Sequence, residues 1–66
     1  MAKDIKIKLF QLEKKQSDLL RELNKRGQKV APAELSSFIS GALQTPKSET
    51  VLKMSREILK EWEDQK

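Results

Sequence analysis

Cysteine, histidine and tyrosine are all missing from this sequence, and its 66 residues include only two glycines, two prolines and one tryptophan. Without cysteine there is no disulfide framework and no thiol nucleophile, and without cysteine or histidine there is no Cys/His zinc site. The lack of histidine also removes the commonest general acid/base, and none of the serines has a partner residue that would activate it. Gly27 and Gly41 are the only glycines, so no phosphate-cradling glycine-rich loop exists. No apolar run is longer than two or three residues, which leaves no membrane span and no secretory h-region. These absences describe a cytoplasmic binding module rather than an enzyme, with no catalytic residues, no metal and no cofactor.

What is present is charge. Charged residues make up 36% of the chain, 14 Lys and Arg against 10 Asp and Glu, for a net charge of +4. They are unevenly spread. Residues 1–29 carry nine basic and four acidic side chains, and residues 30–66 carry five basic and six acidic. A basic amino-terminal half suits a partner made of phosphates, and also serves plain solubility. Size is a second limit, because a chain near 60 residues buries only about 60% of the surface its unfolded form exposes. Binding through an outer face is easier to reconcile with so small a core than a deep substrate cleft.

The apolar spacing is helical throughout. Ile5, Leu9 and Leu12 fall at i, i+4 and i+7 with Phe10 beside them, and Leu19, Leu20 and Leu23 form the next stripe. Between these stripes Glu13-Lys-Lys-Gln-Ser-Asp18 contains neither glycine nor proline, so one helix from Lys3 to Arg26 also satisfies propensity. Two helices are preferred because the polar stretch is long enough for a turn, with Ser17 or Asp18 as the cap. Gly27 is a helix stop, and Pro32 fits the first turn of a third helix. Leu35, Phe38, Ile39 and Ala42 share one face of that helix, with Gly41 near its end. Thr45-Pro46 marks the last helix, with Ser48 as a competing cap. This helix turns Val51, Leu52, Met54, Ile58, Leu59 and Trp62 inward, and Glu49 and Lys53 are ordered for an i, i+4 pair. The expected architecture is a single all-α domain over residues 1–66, with helices at about 3–13, 17–26, 32–41 and 46–62. The terminal Asp64, Gln65 and Lys66 are expected to fray.

The third helix is the most informative element. At 100° per residue, Ala33, Ser36, Ser37 and Ser40 lie opposite Leu35 and form a short, small, polar outer face. Serines are tolerated near a helix end, which is one account of them. The other is that small hydroxylated side chains let a helix approach a surface such as the floor of a DNA major groove. There serine donates or accepts at base edges and alanine meets a thymine methyl.

Three segments carry a resemblance: Gln16-Ser-Asp-Leu-Leu-Arg-Glu-Leu23, Val30-Ala-Pro-Ala-Glu-Leu-Ser-Ser-Phe-Ile-Ser-Gly41, and Pro46-Lys-Ser-Glu-Thr-Val-Leu-Lys-Met54. Together they resemble the Cro/repressor-type (Xre-like) helix-turn-helix family, the small regulators of phages and integrated mobile elements, over roughly residues 5–60. The resemblance implies a compact, lambda-repressor-like bundle of four or five helices that binds double-stranded DNA specifically and regulates transcription by promoter occlusion. The third helix would enter the major groove with Ala33, Ser36, Ser37 and Ser40 at the bases. Gln16 would clamp a phosphate at the start of the second helix beside Ser17, with Lys29 and Lys47 as further phosphate contacts. Related regulators pair symmetrically, and the candidate surface for a homodimer is Ile58, Leu59 and Trp62, although Trp62 also suits the monomer core.

The chain departs from the family pattern at several positions. Leu23 to Val30 is about five residues longer than the usual turn. Lys15 stands where a threonine usually caps, and Leu20 where a small residue usually sits. The third helix lacks the customary Arg or Lys, and Glu34 places a negative charge near the proposed DNA face. These departures suit two alternatives: an antirepressor or modulator that uses the same shape to engage another regulatory protein, and an accessory factor in excision or replication.

Overall fold

Four helices, α1 (Lys3–Gln11), α2 (Gln16–Lys25), α3 (Pro32–Ser40) and α4 (Pro46–Asp64), succeed one another in a computed structural model that describes residues 3–65. Among the described residues the architecture is all-α, and the bundle has four helices rather than five. α4, at 19 residues the longest, packs on each of the other three, and α3 packs on α1 and α2 as well. One core joins them: Ile5, Leu9 and Leu12, then Leu19 and Leu23, Val30 from the connector, Leu35, Phe38 and Ile39, and Val51, Ile58 and Leu59. Leu20, Leu52, Met54 and Trp62 pack partly buried at its edge. No helix among the described residues is long and apolar enough to cross a membrane.

α1 and α2 are separate, and the break comes from a residue that carries no turn signature. Glu13 adopts φ +57°, with Lys14 N–H donating to the Leu9 carbonyl at 2.9 Å and Glu13 N–H to the Phe10 carbonyl at 3.1 Å. This paired closure is the one usually built on glycine. A glutamate there holds its Cβ against the following carbonyl, a strain of about 1–2 kcal/mol. Glu13→Gly is therefore expected to stabilise the protein by about 0.5–1 kcal/mol, once the greater freedom of glycine in the unfolded chain is subtracted. Urea denaturation followed by circular dichroism measures this directly, and an unchanged or lower midpoint would contradict it.

Neither Ser17 nor Asp18 is the residue that caps α2. The cap position is Lys15, and Asp18 reaches back to accept from the Lys15 N–H at 2.9 Å, so the acid acts from inside the first turn. α2 ends where expected chemistry ends it: Gly27 takes φ +94°, Gln28 N–H donates to the Leu23 carbonyl at 2.9 Å and Gly27 N–H to the Asn24 carbonyl at 3.0 Å. The long connector that follows is held by one side chain. Asn24 Nδ2 donates to the carbonyls of Leu20 (2.8 Å) and Val30 (3.3 Å), while its Oδ1 accepts from the Val30 N–H at 3.4 Å. Val30 is thereby held in the core, and Pro32 starts α3 immediately afterwards.

α3 stops at Gly41 with φ +86°, which turns Ala42 out of the helix and leaves it exposed instead of sharing the Leu35 face. Thr45 caps α4 by accepting from the Ser48 N–H at 3.1 Å, and Ser48 Oγ accepts from the Thr45 N–H at 2.9 Å. The two competing caps thus act as a reciprocal pair. α4 runs to Asp64, two residues past its expected end, so Asp64 is helical; Lys66 lies outside the described residues. Glu49 and Lys53 are not among the ion pairs of the described residues. α4 instead pairs with the other helices, through Arg56 to Asp4 (2.9 Å), Glu63 to Lys8 (3.0 Å) and Glu61 to Arg26 (2.9 Å).

These pairs are solvent-exposed, so the acid sensitivity expected from them is modest. Arg56 holds the Asp4 carboxyl below its ordinary pKa, chiefly by hydrogen bonding, and Lys47 and Arg26 do the same for Glu34 and Glu61. Carboxyls that ionise more readily in the folded state contribute stability that is complete above their unfolded pKa and is lost as pH falls through the folded one. Urea midpoints should therefore be flat from about pH 8 to about pH 5 and fall below about pH 4. Glu61→Gln should remove part of that fall, and a midpoint unmoved by acid would contradict the linkage.

Candidate nucleic-acid interface

α3 has two unlike sides, because Leu35, Phe38 and Ile39 fix its inner face in the core. Opposite them Ala33, Ser36 and Ser40 are exposed, and Ser37 is half-buried. The four do not offer equal chemistry. Ser40 Oγ donates to the Ser37 carbonyl at 3.2 Å and accepts from the Ala42 N–H at 3.3 Å, so it is occupied in closing its own helix. The hydroxyls of Ser36 and Ser37 make no hydrogen bond among the described residues and keep their donor and acceptor capacity.

Gln16 and Ser17, exposed in the first turn of α2, lie where N–H groups are left without intrahelical partners. Gln16, Ser36 and Ser40 border one open groove of about 630 Å³ between α1 and α3. Four α1 residues complete its walls, Lys3, Lys6, Ile7 and Phe10, and Ile39 lies at its floor. Ser17, Ala33, Ser37, Lys29 and Lys47 are not part of that groove. Lys29 is exposed in the α2–α3 connector. Lys47 is not a free cation: its Nζ donates to Glu34 Oε1 at 3.1 Å, and the same oxygen accepts from the Ala31 N–H at 3.4 Å. Lys47 and Glu34 thus meet each other at the surface, and the negative charge of Glu34 has a partner within the protein.

The expected pairing surface on α4 also changes. Ile58 and Leu59 are 0% and 2% exposed and belong to the core, so they offer no area to a second copy. Trp62 is half-covered against that core, with Lys14 Nζ 5.3 Å from its ring centroid. Favourable contact of an ammonium with an indole face further occupies the ring.

Ile7 and Phe10, 57% and 83% exposed, line the groove, which corrects the placing of Phe10 beside the Ile5–Leu9–Leu12 stripe and gives a position to Ile7, to which the sequence assigned no role. The signal was there. Phe10 lies five positions after Ile5, about 140° round the helix, and Ile7 about 200°, both away from the Ile5–Leu9–Leu12 stripe. Two apolar side chains on the wrong side of an otherwise amphipathic helix mark a surface with a use.

No protein-family model, curated protein or solved structure matches this chain.

Proposed function

We propose that this chain is a DNA-binding module of helix-turn-helix type, acting as a small transcriptional regulator of a mobile element by occupying its operator. The observation that carries this reading is the uncovered, small and polar outer face of α3 beside the exposed first turn of α2. A helix that only braces the core has no need of such a face, and the outer side of α4 carries Lys, Glu and Arg instead. In this reading α3 enters the major groove with Ser36 and Ser37 at base edges and Ala33 against a thymine methyl. α2 crosses the backbone, its N–H groups and positive dipole end facing a phosphate beside Gln16 and Ser17. The long α2–α3 connector is compatible with this, because Gly27 and Asn24 hold it in one conformation.

The test is a gel shift with the DNA upstream of the protein's own coding region, with and without excess nonspecific competitor. Ser36→Ala or Ser37→Ala should lower the preference for that DNA about fivefold, the equivalent of about 1 kcal/mol for one hydrogen bond, with little change in affinity for random duplex. Ser40→Ala should do less, because its hydroxyl is engaged within α3. Serine variants with unaltered selectivity would remove α3 from the reading role.

A further inference from the structure

The groove between α1 and α3 has a chemistry that duplex DNA does not use. Its floor and one wall are aliphatic and aromatic, from Ile39, Ile7 and Phe10, and its rim is cationic, from Lys3 and Lys6. None of the ion pairs among the described residues includes Lys3 or Lys6. A sugar–phosphate backbone gives Ile7 and Phe10 nothing apolar to bury against. Small-molecule sites enclose their aromatic lining, whereas Phe10 stands 83% exposed on an open flank. Platforms for single strands stack successive bases on several aromatic rings, and Phe10 is the one large aromatic among the exposed residues. A second copy docked groove to groove about a two-fold axis would set one cationic rim against the other, like charge facing like charge.

The remaining occupant satisfies both parts of the groove. We propose that it receives an acidic amphipathic helix of a partner protein, apolar anchors against Ile7, Phe10 and Ile39 and carboxylates against Lys3 and Lys6. The helix-in-groove mode of recognition needs an apolar trough, which this groove supplies, and its cationic rim selects a helix whose flanking charges are acidic. Gln16 and Ser36 border the same groove, so a bound helix covers part of the surface assigned to DNA. The partner is thereby an antagonist of DNA binding. This last step rests on the function proposed above; the docking itself does not.

The probe is a short, labelled synthetic peptide with leucines at i, i+4 and i+7 and glutamates on its other faces, compared with a scrambled peptide of the same composition. Fluorescence anisotropy is expected to show binding of the patterned peptide only. Phe10→Ala and Lys6→Glu should each weaken it at least about tenfold. Leu43→Ala, an exposed apolar change outside the groove, should leave it unaltered. Circular dichroism of Phe10→Ala should match wild type, since the ring lies outside the core. Equal binding of the scrambled peptide, indifference to Phe10→Ala, or no binding of the patterned peptide would each overturn the docking. So would a dimer in sedimentation that Phe10→Ala abolishes, or tighter binding of a single-stranded oligonucleotide at the same residues. In the gel shift the peptide should release bound duplex. A ternary complex overturns the antagonism alone. Absence of any duplex binding removes the DNA reading and the antagonism with it, and the anisotropy still decides the docking.

Discussion

Phe38→Ala is expected to leave the protein with no more than about 2 kcal/mol of stability at 25 °C. Phe38 is 2% exposed and heads the fully buried side chains by size, on a helix that packs against all three others. Removing a buried phenyl ring costs about 3–5 kcal/mol, from lost transfer energy and the cavity left behind. A domain of this size has a total stability of about 5 kcal/mol, at the low end for folded proteins, so the loss takes most of it. Circular dichroism at 222 nm and urea titration read the outcome, and a cooperative transition within about 1 kcal/mol of wild type would refute it. Phe10→Ala is the matching control. The same substitution on the outer side of α1 should change stability by no more than about 0.5 kcal/mol.

The second large effect is expected in the salt dependence of DNA binding. If Lys29 and the unpaired lysines of the amino-terminal half outside the α1–α3 groove neutralise phosphates, each such contact releases counterions. A few such contacts predict a slope of about −3 to −5 in log K against log salt for a monomer and about twice that for a dimer. Between about 50 and about 200 mM salt the monomer would then lose roughly 60- to 1,000-fold in affinity. Lys29→Ala should weaken all duplexes alike and flatten the slope by about one unit. Lys47→Ala should flatten it less, because that ammonium is already held by Glu34. No binding to any duplex at low salt would end the DNA reading.

The contrast between Lys29 and Lys47 also shows what a linear sequence can and cannot tell. Thr45-Pro46, Gly27 and the Leu35–Phe38–Ile39 stripe are local statements, each decided by a residue and its near neighbours in one helix. The structure agrees with them for that reason. The pairing of Lys47 with Glu34 joins two helices, the grip of Arg26 on Glu61 joins the end of α2 to α4, and no spacing rule predicts either. Glu13 in a left-handed conformation is a local feature that propensity argues against; tertiary packing of Leu12 and Leu19 on either side overrides it. Ser55 is a further case: it is fully buried at i+4 from Val51 and i−4 from Leu59, its hydroxyl donating to the Val51 carbonyl at 2.7 Å, so spacing places it inward although its type is polar. Of the candidate site, the α3 face was legible because one helix contains it. The groove was not, because it needs α1, α2 and α3 placed together, although the odd position of Phe10 marked one of its walls.

α4 is the common wall against which the three shorter helices are packed. Isolated helices of 9 or 10 residues are marginal in water, so α1, α2 and α3 depend on that wall to persist. Withdrawing it exposes the inner faces of all three at once. Partial opening of this protein therefore has no inexpensive route from the carboxy-terminal side. Backbone amides in the middle of α4 and those facing it from α2 and α3 should exchange with solvent deuterium through one shared event, the unfolding of the whole chain.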